Sequence, residues 1–335
     1  MAARNPPTTD DRLLTTRDGI LNVDKPLGWT SHDVVGLVRR VTGQRQVGHA
    51  GTLDPLATGV LLVTVGSATR LSDYLMHGRK CYLARLRLGQ RTTTDDAEGP
   101  VVEERPTEEV TAELAAAALA SFLGTIEQIP PAYAAIKRDG VPAYKLARQG
   151  KAPEMAARTV RIDGLALVEL RDNLLDALVW CGAGTYVRAL ARDVGERLDC
   201  GAHLAALRRL SSGTFGVDTA LGVQEIRRLA GEGVLGAHMR PPDEAVAAWP
   251  AIVLDDHDAA AVLHGNPVSH RPSPIAHRPA SEARLYAREG RLLALARYDE
   301  RREAWQPSKV FGAPETTGGA DGADVAKGQP REARG

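Results

Sequence analysis

The chain has 335 residues, of which 43% are hydrophobic and 25% charged, and these proportions exclude a wholly disordered protein and a coiled coil. At roughly 150 residues per domain, the length predicts two domains, or a large domain followed by a small one. The 42 basic and 42 acidic residues give a formal net charge of zero, so any basic surface must be local.

Membrane and metal signals are weak along the whole sequence. No apolar run reaches about 18 residues, and the polar first 19 residues lack the apolar region of a secretory signal. The three cysteines include no Cys-x-x-Cys pair, which excludes a disulfide framework and a four-cysteine zinc site. Cys200 and His203 have a metal-like spacing, but two ligands do not make a site. These features predict a cytoplasmic protein without a bound metal.

The first predicted elements are a tail and a helix. Residues 1–18 are polar and predict a flexible N-terminal tail. Apolar residues recur at helical spacing over residues 34–41, with Thr30 or Ser31 able to cap the start and Gly43 as the stop signal.

Two strands are predicted next. Residues 60–65 form a short, mostly apolar run rich in β-branched side chains, which is typical of a buried strand. Residues 82–88 alternate, with Tyr82 on the apolar face and Arg85 and Arg87 on the other, which is typical of a half-buried strand.

The middle of the chain mixes helices and strands without regular alternation. Residues 107–123 are alanine-rich and predict a helix ending before Gly124. Residues 162–170 and 174–181 predict a hairpin, and residues 187–198 an amphipathic helix. This order predicts an α+β fold with a mixed, mainly antiparallel sheet rather than a doubly wound one.

Residues 128–158 differ in composition from their surroundings. They are rich in proline and glycine and carry six basic residues against two acidic ones, a net charge of +4. Residues 95–113, in contrast, hold eight acidic residues and one arginine. A long basic loop in a compact domain indicates either a functional contact surface or a solvated loop.

The C-terminal part predicts a small β-rich module. A short helix over residues 259–263 is followed by a hairpin, residues 284–287 and 292–296, and a last strand at residues 310–311. Residues 312–335 are rich in glycine, alanine and charge, and predict a disordered tail.

The most unusual segment is the glycine-rich loop of residues 48–59, which precedes the predicted buried strand and carries a single carboxylate, Asp54. Glycines allow tight backbone turns, and Pro55 fixes the chain after the acid, so a rigid loop could present Asp54 over a sheet. A plain Asp-Pro turn is the alternative interpretation. A single acid fits a nucleophilic or electrostatic role better than paired-carboxylate hydrolysis. The sequence also lacks the phosphate-loop, dinucleotide, serine hydrolase and zinc protease motifs.

A lone carboxylate in an apolar site needs a cation, and Arg188 is the best candidate because it opens a helix after a glycine turn. Its alternative interpretation is a surface helix arginine.

Seven blocks of the sequence, in order, closely resemble the bacterial tRNA pseudouridine-55 synthases. The blocks are residues 23–31, 48–71, 80–82, 88–99, 130–150, 184–188 and 200–209. The resemblance implies an enzyme that isomerises one uridine in the T loop of tRNA, detaching the base at N1 and rejoining it through C5. It implies no metal or cofactor, tRNA as the partner, no obligate protein partner and a monomer.

The resemblance also implies roles for individual residues. Asp54 matches the catalytic aspartate, Tyr82 the aromatic residue that stacks on the base, and Arg188 the arginine paired with the aspartate. Tyr186 and Leu207 match residues that line the pocket.

Further positions match residues that contact RNA or lie near the site. His49 matches a histidine that contacts the RNA near the flipped base, and Asp96 matches an acid that hydrogen-bonds in the site. Lys25 belongs to a Lys-Pro loop, Lys25-Pro26, near the site. Residues 128–158 match an RNA-gripping insertion, whose predicted RNA-binding side chains are Lys137, Arg138, Lys145 and Arg148.

The domains implied are a catalytic domain over residues 19–248 and a PUA-like RNA-binding domain over residues 249–311. The sequence departs from the family pattern at three places. Thr93 stands where an acid is frequent, Ala134 where a serine is frequent, and Gly182-Ala183 where Ser-Lys is frequent. These departures concern the affinity for RNA more than catalysis.

Two rival functions are an RNA-folding protein on the same scaffold and a base-modifying enzyme that releases uracil.

Overall fold

The computed structural model describes residues 18–133, 137–138, 141–142, 155–269 and 282–312. The chain divides into two compact units, Met1–Ala247 and Ala248–Gly335, and each is described by itself. The predicted tails fall almost entirely on residues 1–17 and 313–335, which lie outside the described residues.

The strands of the first unit are short to medium in length, and most belong to one sheet. They are β1 Gly19–Lys25, β2 Val47–Ala50, β3 Ala57–Val65, β4 Lys80–Leu88, β5 Gln90–Thr92, β6 Val101–Glu104, β7 Gly124–Gln128, β8 Lys137–Arg138, β9 Val141–Pro142, β10 Arg158–Arg171, β11 Leu174–Cys181, β12 Ala202–Ser212, β13 Phe215–Gly216 and β14 Leu221–Gly222.

The main sheet has the order β14-β1-β3-β12-β4-β11-β10-β7, with β2 added to β3 and β13 to β12. Only the β1–β14 and β3–β12 pairs are parallel. The prediction of a mixed, mainly antiparallel sheet is therefore confirmed. Strand β12, late in the chain, lies between β3 and β4, so the centre of the sheet joins distant segments.

Five helices of eight or more residues, one shorter helix and several turns flank the described sheets. The helices are α1 Ser31–Thr42, α2 Ser72–His77, α3 Ala112–Ala120, α4 Val187–Arg197, α5 Val223–Gly231 and, in the second unit, α6 Asp256–Leu263. The predicted helices over residues 34–41 and 187–198 are confirmed as α1 and α4.

Helix α1 begins and ends where its cap residues predict. The Thr30 hydroxyl accepts a hydrogen bond from the Asp33 amide while the Asp33 carboxylate accepts from the Thr30 amide, which is a capping box. Gly43 ends the helix in the left-handed conformation, with φ of 66°.

The strand predictions are also confirmed. Strand β3 is buried over most of its length, and β4 alternates buried and more exposed residues. Arg85 lies on the face of β4 opposite Tyr82, where it forms two 2.7 Å hydrogen bonds with Asp176. Strands β10 and β11 form the predicted hairpin, and Asp172 adopts the left-handed conformation at its turn.

The predicted helix over residues 107–123 is wrong at its start. Thr107 begins a turn in which its carbonyl accepts from the Val110 amide, and Thr111 caps α3 by accepting from the Leu114 amide. Alanine propensity extends through this region, but the cap decides where the first helical turn begins.

The second unit is built on a four-stranded sheet. Its strands are β15 Ala251–Val253, β16 Glu282–Tyr286, β17 Leu292–Asp299 and β18 Ala304–Val310, in that spatial order. The predicted last strand begins six residues earlier than expected, because Trp305 is buried in the core of this unit and pairs the strand to β17. Within the residues described, no helix combines the length and the apolar character needed to cross a bilayer.

Candidate functional site

Asp54 lies in the loop between β2 and β3. Its backbone carbonyl accepts a hydrogen bond from the Ala57 amide, which closes a turn around Pro55. Gly51 and Gly59, on either side, adopt positive φ values of 93° and 95°, which a side chain would disfavour. The Asp54 side chain is 40% exposed, so the loop presents its carboxylate to solvent.

The N-terminus of α1 holds this loop in place. The Ser31 hydroxyl accepts a 2.9 Å hydrogen bond from the Leu53 amide and lies 3.1 Å from the Leu53 carbonyl. Thr30, not Ser31, caps the helix, which leaves the Ser31 hydroxyl to secure the residue before Asp54.

Arg188, in the first turn of α4, connects Asp54 to the rest of the site. Its Nε lies 3.0 Å from Oδ2 of Asp54, and its Nη1 lies 3.4 Å from Oδ2 of Asp96. Its guanidinium also donates to the carbonyls of Thr94 and Tyr133. Because the side chain is only 7% exposed, one buried cation serves two carboxylates.

Asp96 is the second carboxylate partner of Arg188. Its Oδ1 accepts from the Thr94 hydroxyl at 2.5 Å and from the Glu98 amide at 3.0 Å, which leaves Oδ2 toward Arg188. The residue is buried, so its carboxylate faces protein groups in this structure. Glu98, at the outer side of the same turn, has a raised pKa because of partial burial and the neighbouring charges of Asp96 and Asp54.

Tyr82 lies in the centre of the sheet, on β4. It is 8% exposed, and its cross-strand neighbours are Val179 on β11 and Arg209 on β12. Burial raises the pKa of the Tyr82 hydroxyl, and the charge and side-chain contact of Arg209 oppose that rise.

Tyr186 and Leu207 are half-buried beside these groups. Tyr186 is the N-cap residue of α4, and burial raises the pKa of its hydroxyl while Arg158 and Arg188 lower it. Both backbone groups of Tyr186 are bonded to the buried Gln128 amide, at 2.9 and 3.2 Å. Leu207 lies on β12 opposite Ala57, at the end of the loop that carries Asp54.

Lys25 is fully buried and joins two loops. Its Nζ donates to the carbonyls of Trp29 at 2.6 Å and Pro26 at 3.1 Å, and lies 3.5 Å from that of Pro55. Burial lowers the pKa of Lys25 to about 8, and the charge of Asp54 partly opposes this fall. Lys25 therefore connects its own loop, at Pro26 and Trp29, to Pro55, the residue after Asp54.

His49 lies on β2 with its ring edge-on to His32, at a centroid distance of 5.6 Å. Its pKa is lowered by burial and by the charges of His32 and Arg209. Its buried Nδ1 has no hydrogen-bond partner among the described residues.

Arg188 therefore contacts both Asp54 and Asp96, and the charge of Asp54 acts on Lys25, Tyr82 and Tyr186. The predicted RNA-binding side chains of Lys137, Arg138, Lys145 and Arg148 lie outside what the structure describes, as does Ala134.

The sequence indicated no role in the site for Arg209 or Gln128, and it marked Ser31 only as a possible helix cap. Arg209 ends the block of residues 200–209, and alternation along a strand places it on the same face as Leu207, which was the available signal. No local pattern marked the contacts of Gln128 or Ser31 with the site, because their partners are distant in the chain.

No metal site is evident around the described part of this cluster. Cys200 is buried with its thiol toward the Gly201 carbonyl, and His203 Nδ1 lies 3.1 Å from the Gln90 carbonyl. A group of three possible ligands occurs in the second unit, where Asp255 caps α6 and His257 and Asp258 lie beside it.

Comparison with known proteins gives a consistent result. A family model described as "TruB family pseudouridylate synthase (N terminal domain)" matches residues 39–187, and one described as "tRNA pseudouridylate synthase B C-terminal domain" matches residues 188–247. Both matches lie within the first unit. Together they span Asp54, Tyr82 and Arg188, whereas Lys25 precedes them.

Curated relatives extend the match to most of the chain. The tRNA pseudouridine synthase B of Thermobifida fusca is 47% identical over 261 residues, covering 75% of this chain and 87% of the relative. That of Stutzerimonas stutzeri is 44% identical over 253 residues, covering 75% and 83%.

Solved structures share the fold. An archaeal box H/ACA Nop10–Cbf5 complex has a chain that is 25% identical, with a TM-score of 0.67 and coverage of 89% of this chain and 88% of that one. A Cbf5–Nop10–Gar1 complex gives a TM-score of 0.68 at 25% identity, covering 91% and 87%. The fold is thus that of the pseudouridine synthases, and the chain belongs to the TruB family of pseudouridylate synthases.

Proposed function

We propose that this chain isomerises uridine 55 in the T loop of tRNA to pseudouridine, with Asp54 as the catalytic carboxylate. The observation that carries the proposal is the half-exposed Asp54 carboxylate held 3.0 Å from the buried guanidinium of Arg188. The similarity to relatives known as tRNA pseudouridine synthase B supports tRNA as the substrate class.

The reaction needs no co-reactant. The bond between N1 and the ribose C1′ breaks, the base turns, and C5 bonds to C1′. The proton leaves C5 to solvent, and N1 takes up a proton. Asp54 supplies the carboxylate that attacks the nucleotide, and Arg188 supplies the compensating cation at a distance suited to a charge-assisted hydrogen bond.

The target base must leave the RNA stack before it can reach Asp54, which costs a few kcal/mol. Stacking on Tyr82 would return about 1–3 kcal/mol of that free energy. The small exposed part of the Tyr82 ring restricts where a base could stack. Half-buried Tyr186 and Leu207 would line the same pocket.

We assign RNA gripping to residues 128–158, on the basis of their net charge of +4 in a neutral chain. The described N-terminal end of this segment meets the site, since Gln128 bonds Tyr186 and the Tyr133 carbonyl accepts from Arg188. Phosphate contacts through Lys137, Arg138, Lys145 and Arg148 would make binding salt-dependent. His49, with its unpartnered Nδ1, is the described candidate for an RNA contact beside the loop.

The same proposal treats residues 19–248 as the catalytic domain and residues 249–311 as a PUA-like RNA-binding domain. The division of the chain after Ala247 and the four-stranded sheet of the second unit support this arrangement.

A tritium-release assay tests the proposed reaction. Unmodified tRNA with tritium at uridine C5 is incubated with the wild type and with Asp54→Asn, without added metal or nucleotide. Release by the wild type alone, with no free uracil, is the expected result. Free uracil would indicate a glycosylase, and a folded, tRNA-binding wild type that releases no tritium would indicate an RNA-folding protein.

A further inference from the structure

Arg209 lies at the centre of the main sheet, between the two strands that carry the site. On β12 it is directly opposite Tyr82 of β4 and Gly59 of β3. Gly59 has a φ of 95°, and a Cβ atom there would lie 2.2 Å from the Arg209 carbonyl oxygen. The close approach of β3 and β12 at this point therefore requires glycine.

The Arg209 guanidinium is buried against backbone. The residue is 1% exposed, its Nε donates to the Val60 carbonyl at 2.5 Å, and its Nη2 donates to the Gly51 carbonyl at 3.1 Å. No carboxylate in the described part of the chain forms an ion pair with it. A buried cation without an acid is unfavourable for stability unless its hydrogen bonds compensate, so the backbone groups that Arg209 bonds are the groups that it holds in place.

Arg209 and Tyr82 are directly opposite residues of the neighbouring strands β12 and β4, so their side chains lie on the same face of the sheet. The charge of Arg209 and a side-chain contact both lower the pKa of the Tyr82 hydroxyl against the effect of burial. Arg209 therefore contacts two separate parts of the site: the aromatic side chain of β4 and the loop that carries Asp54.

The loop around Asp54 is held on both sides. Ahead of the carboxylate, the Gly51 carbonyl is bonded to Arg209 and Leu53 to Ser31. Behind it, the Pro55 carbonyl accepts from the Gly28 amide at 2.9 Å and lies 3.5 Å from Lys25 Nζ. Of the residues that make these contacts, Arg209 is also the cross-strand partner of Tyr82.

We propose that Arg209 is a positioning residue for the isomerisation: one buried guanidinium fixes the loop ahead of Asp54 and the Tyr82 side chain relative to each other. The inference rests on the proposed function and deepens it, because it adds a group that touches neither substrate nor reacting atoms. A misplacement of about 1 Å between such groups can slow a reaction about 100-fold.

The test compares Arg209→Met with Lys80→Met. Lys80 is a matched control because it is also a buried cation on the sheet, but it donates to the backbone carbonyls of Met76 and Gly78 and not to the Asp54 loop. Urea denaturation establishes that each variant is folded, filter binding gives the Kd for tRNA, and tritium release at saturating enzyme gives the single-turnover rate.

Folded Arg209→Met should bind tRNA within about threefold of the wild type while its single-turnover rate falls about 10- to 100-fold. Lys80→Met should keep its rate within about threefold. Tyr82→Phe combined with Arg209→Met should be no slower than the slower single variant, since both changes break one contact.

A wild-type rate in Arg209→Met, equal slowing by Lys80→Met, or fully multiplicative effects with Tyr82→Phe would overturn the inference. If Arg209→Met does not fold, Arg209→Lys decides: it keeps the cation but cannot bridge both carbonyls, so a slowed rate supports the inference and a wild-type rate overturns it. A wild type that releases no tritium would instead contradict the proposed function.

Discussion

Replacing Arg188 by glutamine should separate the catalytic effect of this arginine from its effect on stability. The change removes the 3.0 Å contact with Asp54 and the 3.4 Å contact with Asp96. A hydrogen bond to a charged group contributes about 1.5–3 kcal/mol, and each 1.36 kcal/mol is tenfold in rate, so the single-turnover rate should fall about 10- to 150-fold.

Stability should fall for a different reason, which concerns Asp96. Removing one partner of a buried ion pair costs about 3–5 kcal/mol, because the other charge is left uncompensated. Asp96 is buried, but its second oxygen keeps the hydrogen bonds from Thr94 and Glu98. We therefore expect a loss near the lower end of that range, about 3 kcal/mol.

The double variant Arg188→Gln with Asp96→Asn distinguishes the two effects. It removes the uncompensated charge, so stability in urea should largely recover, whereas tritium release should stay slow because Asp54 still lacks its cation. Arg228→Gln, which removes an exposed arginine on α5 bonded to Glu225 and Glu232, is the control and should keep its rate. Folded Arg188→Gln with a wild-type single-turnover rate would refute this reasoning.

Three further predictions concern the surroundings of the site. Lys25 has a pKa of about 8 in the folded chain against 10.5 ordinarily, so the unfolded chain holds more protons between these values and wild-type stability should rise with pH across them. The free energy of unfolding of Lys25→Met, measured by urea denaturation, should rise less with pH than that of the wild type. An equal pH dependence of the two would contradict the burial argument. Gly59→Ala should destabilise the fold far more than Gly213→Ala, which shares a positive φ but has open space around its Cβ and should cost about 1–2 kcal/mol. Similar denaturation midpoints for the two would contradict the close approach of β3 and β12. Gln128→Ala leaves the Tyr186 amide without its partner and removes one of two donors to the Tyr186 carbonyl, which still accepts from the Leu190 amide, so it should cost about 1–3 kcal/mol and weaken tRNA binding; unchanged thermal denaturation would show that water replaces the Gln128 side chain.

Local signals in the sequence predicted local structure well. The helix start at Thr30 or Ser31, the stop at Gly43 and the alternation along β4 each depend on neighbouring residues, and each is confirmed, with Thr30 as the cap. The early start predicted for α3 was wrong because alanine content does not locate a cap.

Contacts between distant segments could not be predicted from periodicity. Strand β12 lies between β3 and β4, and this insertion places Arg209 directly opposite Tyr82 and Leu207 beside the Asp54 loop. Arg188 was open to interpretation as a surface arginine, because its partners Asp54 and Asp96 approach it only in the folded sheet. The resemblance to a family supplied Asp54, Asp96, Arg188 and Leu207 as site residues but gave no role to Arg209, and the structure adds the contacts of each.

The most direct test of the proposed function maps the product along the substrate. Unmodified tRNA is incubated with the wild type or Asp54→Asn, and pseudouridine is located by chemical labelling and primer extension. We predict a signal at position 55 with the wild type alone, and none when that position carries cytidine. A signal at another uridine, or an equal signal from folded Asp54→Asn, would contradict the account.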